Sequence, residues 1–232
     1  MYSIQFRTYF SIQHLKSAHL LCQESKAVES EFNLVNDIHE KSMLISKNNA
    51  YATSSILSSL AFIEAVINEV VCDICDGTER ITSIPLNERK IIKEKWITGN
   101  LDRNYPIKKY NEVLKILNCD TFDKASDLYQ NIEVLISLRN TLIHYKPEWY
   151  STHSSHLSET ENQHFLTDRL IGKFEFSTMF KNTGNPFFPD KCIGYGCSIW
   201  AIRNVLSFSD AFHKRIGLKP IYEHIRNELL LQ

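Results

Sequence analysis

The chain has 232 residues, 43% apolar and 23% charged, with 26 Lys and Arg against 27 Asp and Glu. That length and apolar share are ample for one globular core, and the formal net charge of −1 excludes a general electrostatic pull toward nucleic acid or membrane. Any contact with a polyanion must therefore come from a local patch.

The opening residues, Met1-Tyr2-Ser3-Ile4-Gln5-Phe6-Arg7, show no long apolar run and no small-residue cleavage pattern. With six cysteines, this predicts reduced thiols and a cytoplasmic location. Residues 10–22, and on to about 40, read as one or two helices of moderate periodicity. The clearest helix is predicted to start at Asn48 or Asn49, both good N-cap types. It carries Ile56, Leu60, Ile63, Ile67, Val70 and Ile74 on one stripe until Gly77 stops it. Glu64, Asn68 and Glu69 interrupt its apolar surface, so it is expected to be a bundle core rather than a membrane span.

Pro85-Leu86-Asn87-Glu88 opens a third helix ending near Trp96, Thr98-Gly99-Asn100 makes a turn, and residues 106–117 form a short fourth. Here Arg89, Lys90, Lys93, Lys95, Arg103, Lys108 and Lys109 stand against only Glu94 and Asp102, with Trp96 and Tyr105 interleaved. Cations alternating with aromatics predict a phosphate-tracking surface, in which Lys93, Lys95, Arg103, Lys108 and Lys109, joined by Lys146, would contact RNA.

A fifth helix is predicted from Thr121 or Asp123 to about Lys146, beside the helix of residues 49–75. Its stripe runs Leu128, Ile132, Leu135, then Arg139, then Leu142, so an arginine occupies a position expected for a core leucine. Such a charge must be paired, exposed or used. The structural reading is an ion pair from Arg139 to Glu64 or Glu69, with His144 as a cation favoured near a helix C-terminus. The chemical reading joins Arg139, Asn140 and His144. Asn140 and His144 share a face, whereas Arg139 and His144 diverge by roughly 140° around the axis. One straight helix cannot aim both at one point; Pro147 would end or bend it, and a second copy in a symmetric dimer would supply the convergence.

Arg139-Asn140-x-x-x-His144 in an all-helical chain resembles the Arg-x4-6-His signature of the HEPN superfamily, whose members often carry a polar residue directly after the arginine. The helix Ser54-Ser55-Ile56-Leu57-Ser58-Ser59-Leu60-Ala61-Phe62-Ile63-Glu64-Ala65-Val66-Ile67-Asn68-Glu69 is similar to the Glu-Ala-x-x-Asn helix preceding the motif in some bacterial HEPN-like proteins. Phe187-Phe188-Pro189-Asp190-Lys191-Cys192, leading into Cys197-Ser198-Ile199-Trp200-Ala201, is similar to the entry into their last bundle helix. The resemblance implies an all-α, HEPN-like bundle of four to six helices around two long antiparallel helices. The chain is expected to be a single domain over 1–232, with its core at about 48–215. It also implies a homodimeric, metal-independent endoribonuclease, a toxin or antiviral-defence effector with an antitoxin or other regulatory partner. Arg139, Asn140 and His144 would be catalytic, Glu64 and Asn68 supporting, and no cofactor is expected. A non-catalytic nucleotide- or protein-binding and dimerisation module is the alternative, because a fold does not guarantee catalysis.

Residues 149–197 are predicted as a long, loop-rich insertion, functional or dimer-contacting, before helices at 198–214 and 220–231. Its His153, His156 and His164 read as loop residues, and Trp149, Tyr150, Phe187, Phe188 and Trp200 as packing or dimer contacts. Cys72 and Cys75 with Cys192 and Cys197 number enough for a zinc, but their spacing favours buried thiols.

Overall fold

Ser11, Leu15, Ala18, Cys22, Ser25 and Val28 recur at three- and four-residue steps and are all buried along one side of helix α1, Ser11–Phe32. Such a narrow seam of small side chains lets another backbone come close. In the computed structural model, which describes residues 6–147, 165–181 and 183–230, that neighbour is α2, Ile38–Asp76. Contacts stack in reverse order along the pair, as an antiparallel hairpin requires. Ser25 Oγ donates to Asn48 Oδ1 (2.6 Å), Ser55 Oγ to the Ala18 carbonyl (2.7 Å), and Ser11 N and Oγ to Glu69 (2.8 and 2.6 Å).

Two expectations are corrected here. Helix α2 begins at Ile38, where Asp37 accepts from the Glu40 N–H (2.9 Å), so Asn48 is not a cap but a buried linker whose Nδ2 also donates to the Ile193 carbonyl (3.4 Å). The long antiparallel partner of α2 is α1, not the motif helix. At its other end α2 stops at Gly77, in the left-handed region at φ 69°, as expected. By length and composition α2 is apolar enough to cross a membrane, contrary to expectation, yet 56% of its most apolar window is buried inside the chain. Its apolarity is that of a helix wrapped by neighbours.

Helices α3 (Leu86–Ile97) and α4 (Pro106–Ile116) follow the predicted bounds, with Pro85 before one and Pro106 opening the other. Tyr110 Oη donates to the Ile63 carbonyl (2.7 Å), fastening α4 to α2. Helix α5 spans Asp127–Ile143, starting later than predicted because Ser126 is the N-cap, accepting from Tyr129 N–H (3.3 Å). Residues before it are held otherwise, Phe122 N–H donating to Asn111 Oδ1 (2.9 Å).

The connection before α7 (Tyr195–Ile216) carries one turn of helix, α6 (Thr167–Leu170), and α8 (Glu223–Leu230) closes the chain. No strand occurs among the described residues, and the protein is an all-α bundle. Helix α7 packs on α1, α2 and α5 and brings Phe208 and Phe212 edge-on to Tyr110 at 4.9 and 4.6 Å. One apolar core runs from Leu15 to Ile225.

The described part of the long connection is packed rather than projecting: Leu166, Leu170, Phe188, Cys192 and Ile193 are buried. Glu29 of α1 anchors it. Its carboxyl accepts from Tyr195 N–H (3.0 Å), at the first turn of α7, and from Thr178 N–H and Oγ1 (3.3 and 3.4 Å). A carboxylate at a helix N-terminus meets orphan N–H groups and the favourable end of the dipole. The remaining stretch, with Trp149, Tyr150, His153, His156 and His164, lies outside the described residues.

Candidate functional site

Helix α5 buries Ile132, Leu135 and Leu138. The seam therefore steps by three from Leu135 to Leu138, which fills the core place expected for Arg139. Arg139 sits half-buried beside it, and its Nη1 donates to Asn140 Oδ1 (3.0 Å), drawing the guanidinium toward the Asn140 side of the helix. Among the described residues no carboxylate pairs with Arg139. Glu69 is engaged by Ser11 at the start of α1, and burial raises its carboxyl above the ordinary range. The expected ion pair to Glu64 or Glu69 is thus not formed.

His144 caps α5 at φ −111°, ψ 39°; its N–H donates to the Asn140 carbonyl (2.9 Å) and its side chain is exposed. The helix ends there, before Lys146 and Pro147, both exposed, so the imidazole stands at an unwound end. Tyr145 follows it, 6.4 Å from Phe188 between ring centroids.

Neither Glu64 nor Asn68, the expected supporting pair, makes a hydrogen bond or ion pair to the motif among the described residues. Asn68 accepts from Lys109 Nζ (3.0 Å), and Lys109 is only 3% exposed, lying 5.7 Å over the Trp96 ring. Lys109 belongs to the seam of α4 with Tyr110, Val113 and Leu114, so it cannot track phosphates, and Asn68 is committed to it rather than to the motif. Glu64 is half-buried on α2 and makes no hydrogen bond or ion pair to Arg139 or His144 among the described residues.

The other cations are distributed unevenly. Lys93 caps the end of α2 by donating to the Cys75 carbonyl (3.0 Å), and Lys95 pairs with Glu112 (3.3 Å), while Arg103 and Lys108 are exposed. Lys108 stands at a groove of about 520 Å³ between α4 and α5, lined by Tyr105, Tyr129, Glu133, Ile136, Ser137 and Arg169 among others. Arg169, from α6, donates to Ser137 Oγ (3.3 Å) and lies 3.7 Å from Glu133. Glu133, Ser137, Asn140 and His144 are spaced four, three and four apart, one face of a helix, so this groove leads along α5 toward the motif. Sequence reasoning missed Tyr129 and Arg169. The spacing on α5 was readable, but Arg169 arrives from the long connection, which no local pattern discloses.

The cysteines do not assemble a zinc quartet. Cys72 and Cys75 are half-buried near the end of α2, whereas Cys192 and Cys197 are buried together beside Cys22, and burial pushes the Cys22 thiol up to about 12. Among the described residues no three His, Cys, Asp or Glu side chains gather as metal ligands.

No protein-family model, curated protein or solved structure matches the chain. The chemistry of the site itself carries the functional reading.

Proposed function

We propose that the chain is a HEPN-like, metal-independent endoribonuclease that acts as a homodimer. The observation supporting this most is Arg139. It is a half-buried guanidinium with no carboxylate partner among the described residues, bonded only to Asn140, one turn from an exposed histidine. A structural arginine at that depth would be expected to spend its donors on a carboxylate. This one retains them.

The chemistry needs no added nucleophile. His144 takes the proton of a ribose 2′-hydroxyl, whose oxygen attacks the adjacent phosphorus, forming the P–O2′ bond and breaking P–O5′. Arg139 offers its fork to the negative charge that grows on the phosphorane oxygens, and Asn140 holds that fork in place. The departing 5′-oxygen takes a proton from a general acid, a role that His144 of a second copy fills. Pairing two α5 ends in this way also meets the divergence of Arg139 and His144 around one helix. The products are a 2′,3′-cyclic phosphate and a 5′-hydroxyl. The resemblance adds a cytoplasmic role as a toxin or antiviral effector, restrained by an antitoxin or another regulatory partner.

A groove of ligand size beside α5 favours a second reading, a nucleotide-binding module without cleavage. The deciding test is incubation of labelled total RNA and tRNA with purified protein in EDTA, followed by end-group analysis. Cuts ending in 2′,3′-cyclic phosphate are expected. Fragments ending in 3′-hydroxyl would overturn the mechanism, and absence of cutting with retained nucleotide binding would favour the module.

A further inference from the structure

The groove between α4 and α5 combines features that recognise an unstacked nucleobase. Tyr105 is 75% exposed at its rim, an unusual position for so large an aromatic ring, and Tyr129 lines the same space. Aromatic faces in a groove stack on bases of single-stranded RNA, and a neighbouring cation such as Lys108 matches the phosphate. The volume, about 520 Å³, is in the range of small-ligand sites.

Glu133 supplies the selective element. Its carboxylate is half-exposed, and its one partner among the described residues is Arg169 at 3.7 Å, beyond hydrogen-bond length. Both oxygens keep lone pairs for a ligand, while Arg169, tied to Ser137 Oγ, fixes the side of the groove on which the carboxylate lies. Two adjacent acceptors match two adjacent donors. Among the four RNA bases, guanine alone presents an N1–H and an N2–H side by side on its Watson–Crick edge, whereas adenine and cytosine offer one amino group beside an acceptor.

We propose that this groove is a base-binding subsite for single-stranded RNA that selects guanine, with Tyr105 stacking on the ring and Glu133 accepting from N1–H and N2–H. The proposal deepens the ribonuclease reading and rests on it for RNA as the ligand. Ser137 lies seven residues before His144, roughly 10 Å along a helix axis, so the base in the groove belongs to a nucleotide close to the scissile phosphate. Glu133 and Tyr105 are specificity-determining residues in this account and take no part in bond breaking.

The test is calorimetric binding of 5′-GMP, 5′-AMP, 5′-CMP, 5′-UMP and inorganic phosphate to the full chain, in wild type, Glu133→Gln and Tyr105→Ala. GMP is expected to bind tightest, and Glu133→Gln to weaken it by about tenfold or more while leaving AMP within about twofold. Tyr105→Ala should weaken every nucleotide and leave phosphate unchanged. Both side chains are exposed, so both variants are expected to fold. GMP binding no tighter than phosphate, or indifferent to Glu133→Gln, overturns the subsite. GMP selectivity without RNA cleavage keeps the subsite and removes the ribonuclease reading; EDTA-resistant cleavage with no guanine preference does the reverse.

Discussion

Glu29 and Arg139 are both charged groups at helix ends, and the fold treats them oppositely. Glu29 is buried at the start of α7 and both its oxygens are occupied, by Tyr195 N–H and by Thr178. Arg139 is half-exposed at the end of α5 and, among the described residues, uses one donor, on its neighbour Asn140. A polar group whose bonding capacity is filled from within holds the structure together. One whose capacity is open to solvent has something left for a ligand.

The contrast is broken most sharply at His144. His144→Ala should lower RNA cleavage by about 10²- to 10⁴-fold, the range for loss of a general acid or base, and leave the thermal midpoint unmoved because the side chain is exposed. Rates measured beside melting curves check it. Glu29→Ala should do the opposite. It leaves the partly buried Tyr195 N–H and the Thr178 N–H without their acceptor and empties a buried site, for a stability loss of about 1–3 kcal/mol in urea unfolding. Gly194→Ala should act at the same place, since a Cβ there would run into Glu29 Oε1 and lie 2.9 Å from Ser177 Cβ.

His213 sharpens the comparison from a third side. It is 1% exposed, its Nδ1–H donates to the Ser209 carbonyl (2.8 Å), and Nε2 has no partner among the described residues. Burial, its largest perturbation, lowers its pKa from 6.5 to about 4. Since the unfolded chain binds the proton more readily, the stabilisation is fully present above pH 6.5 and is lost as pH falls toward 4. Wild type should therefore lose up to roughly 3 kcal/mol more than His213→Phe between pH 7 and pH 4, read by denaturant titrations at each pH. An open nitrogen alone does not make a site; it must also be reachable. The smallest expected effect is on stability in Arg139→Ala, within about 0.5 kcal/mol by the same titration, as for surface changes away from buried networks.

Much of the all-α architecture was legible because punctuation in this chain is strong. Pro85, Pro106, Gly77 and the Thr98-Gly99-Asn100 turn bound elements where the chain places them. The α1/α2 pairing was not legible, because a search for large apolar residues passes over Ser11, Ala18, Cys22 and Ser25, which form that seam. Cap preference likewise points away from the start of α2. Asn48 is a good cap type, but its amide is more useful to the buried Ser25 and Ile193 partners, and the capping falls to Asp37.

At the site, the i, i+4 relation of Asn140 and His144 was readable from spacing alone. The neighbourhood of Arg139 was not, because a three-residue step to Leu138 and a four-residue step to Arg139 are equally helical, and packing chose the leucine. Lys109 shows the same limit. Its charge suggested an outward surface, whereas its place on the α4 seam, with Asn68 and the Trp96 face to receive the ammonium, turned it inward.

The most direct test of the reading of the α5 end is the RNA-cleavage rate of Arg139→Ala measured on the same preparation as its unfolding curve. A loss of EDTA-resistant cleavage by about 10²-fold or more, with an unchanged midpoint, is the predicted result. A large fall in stability with cleavage in proportion to the folded fraction would contradict it and return Arg139 to the structural role that Glu29 plays.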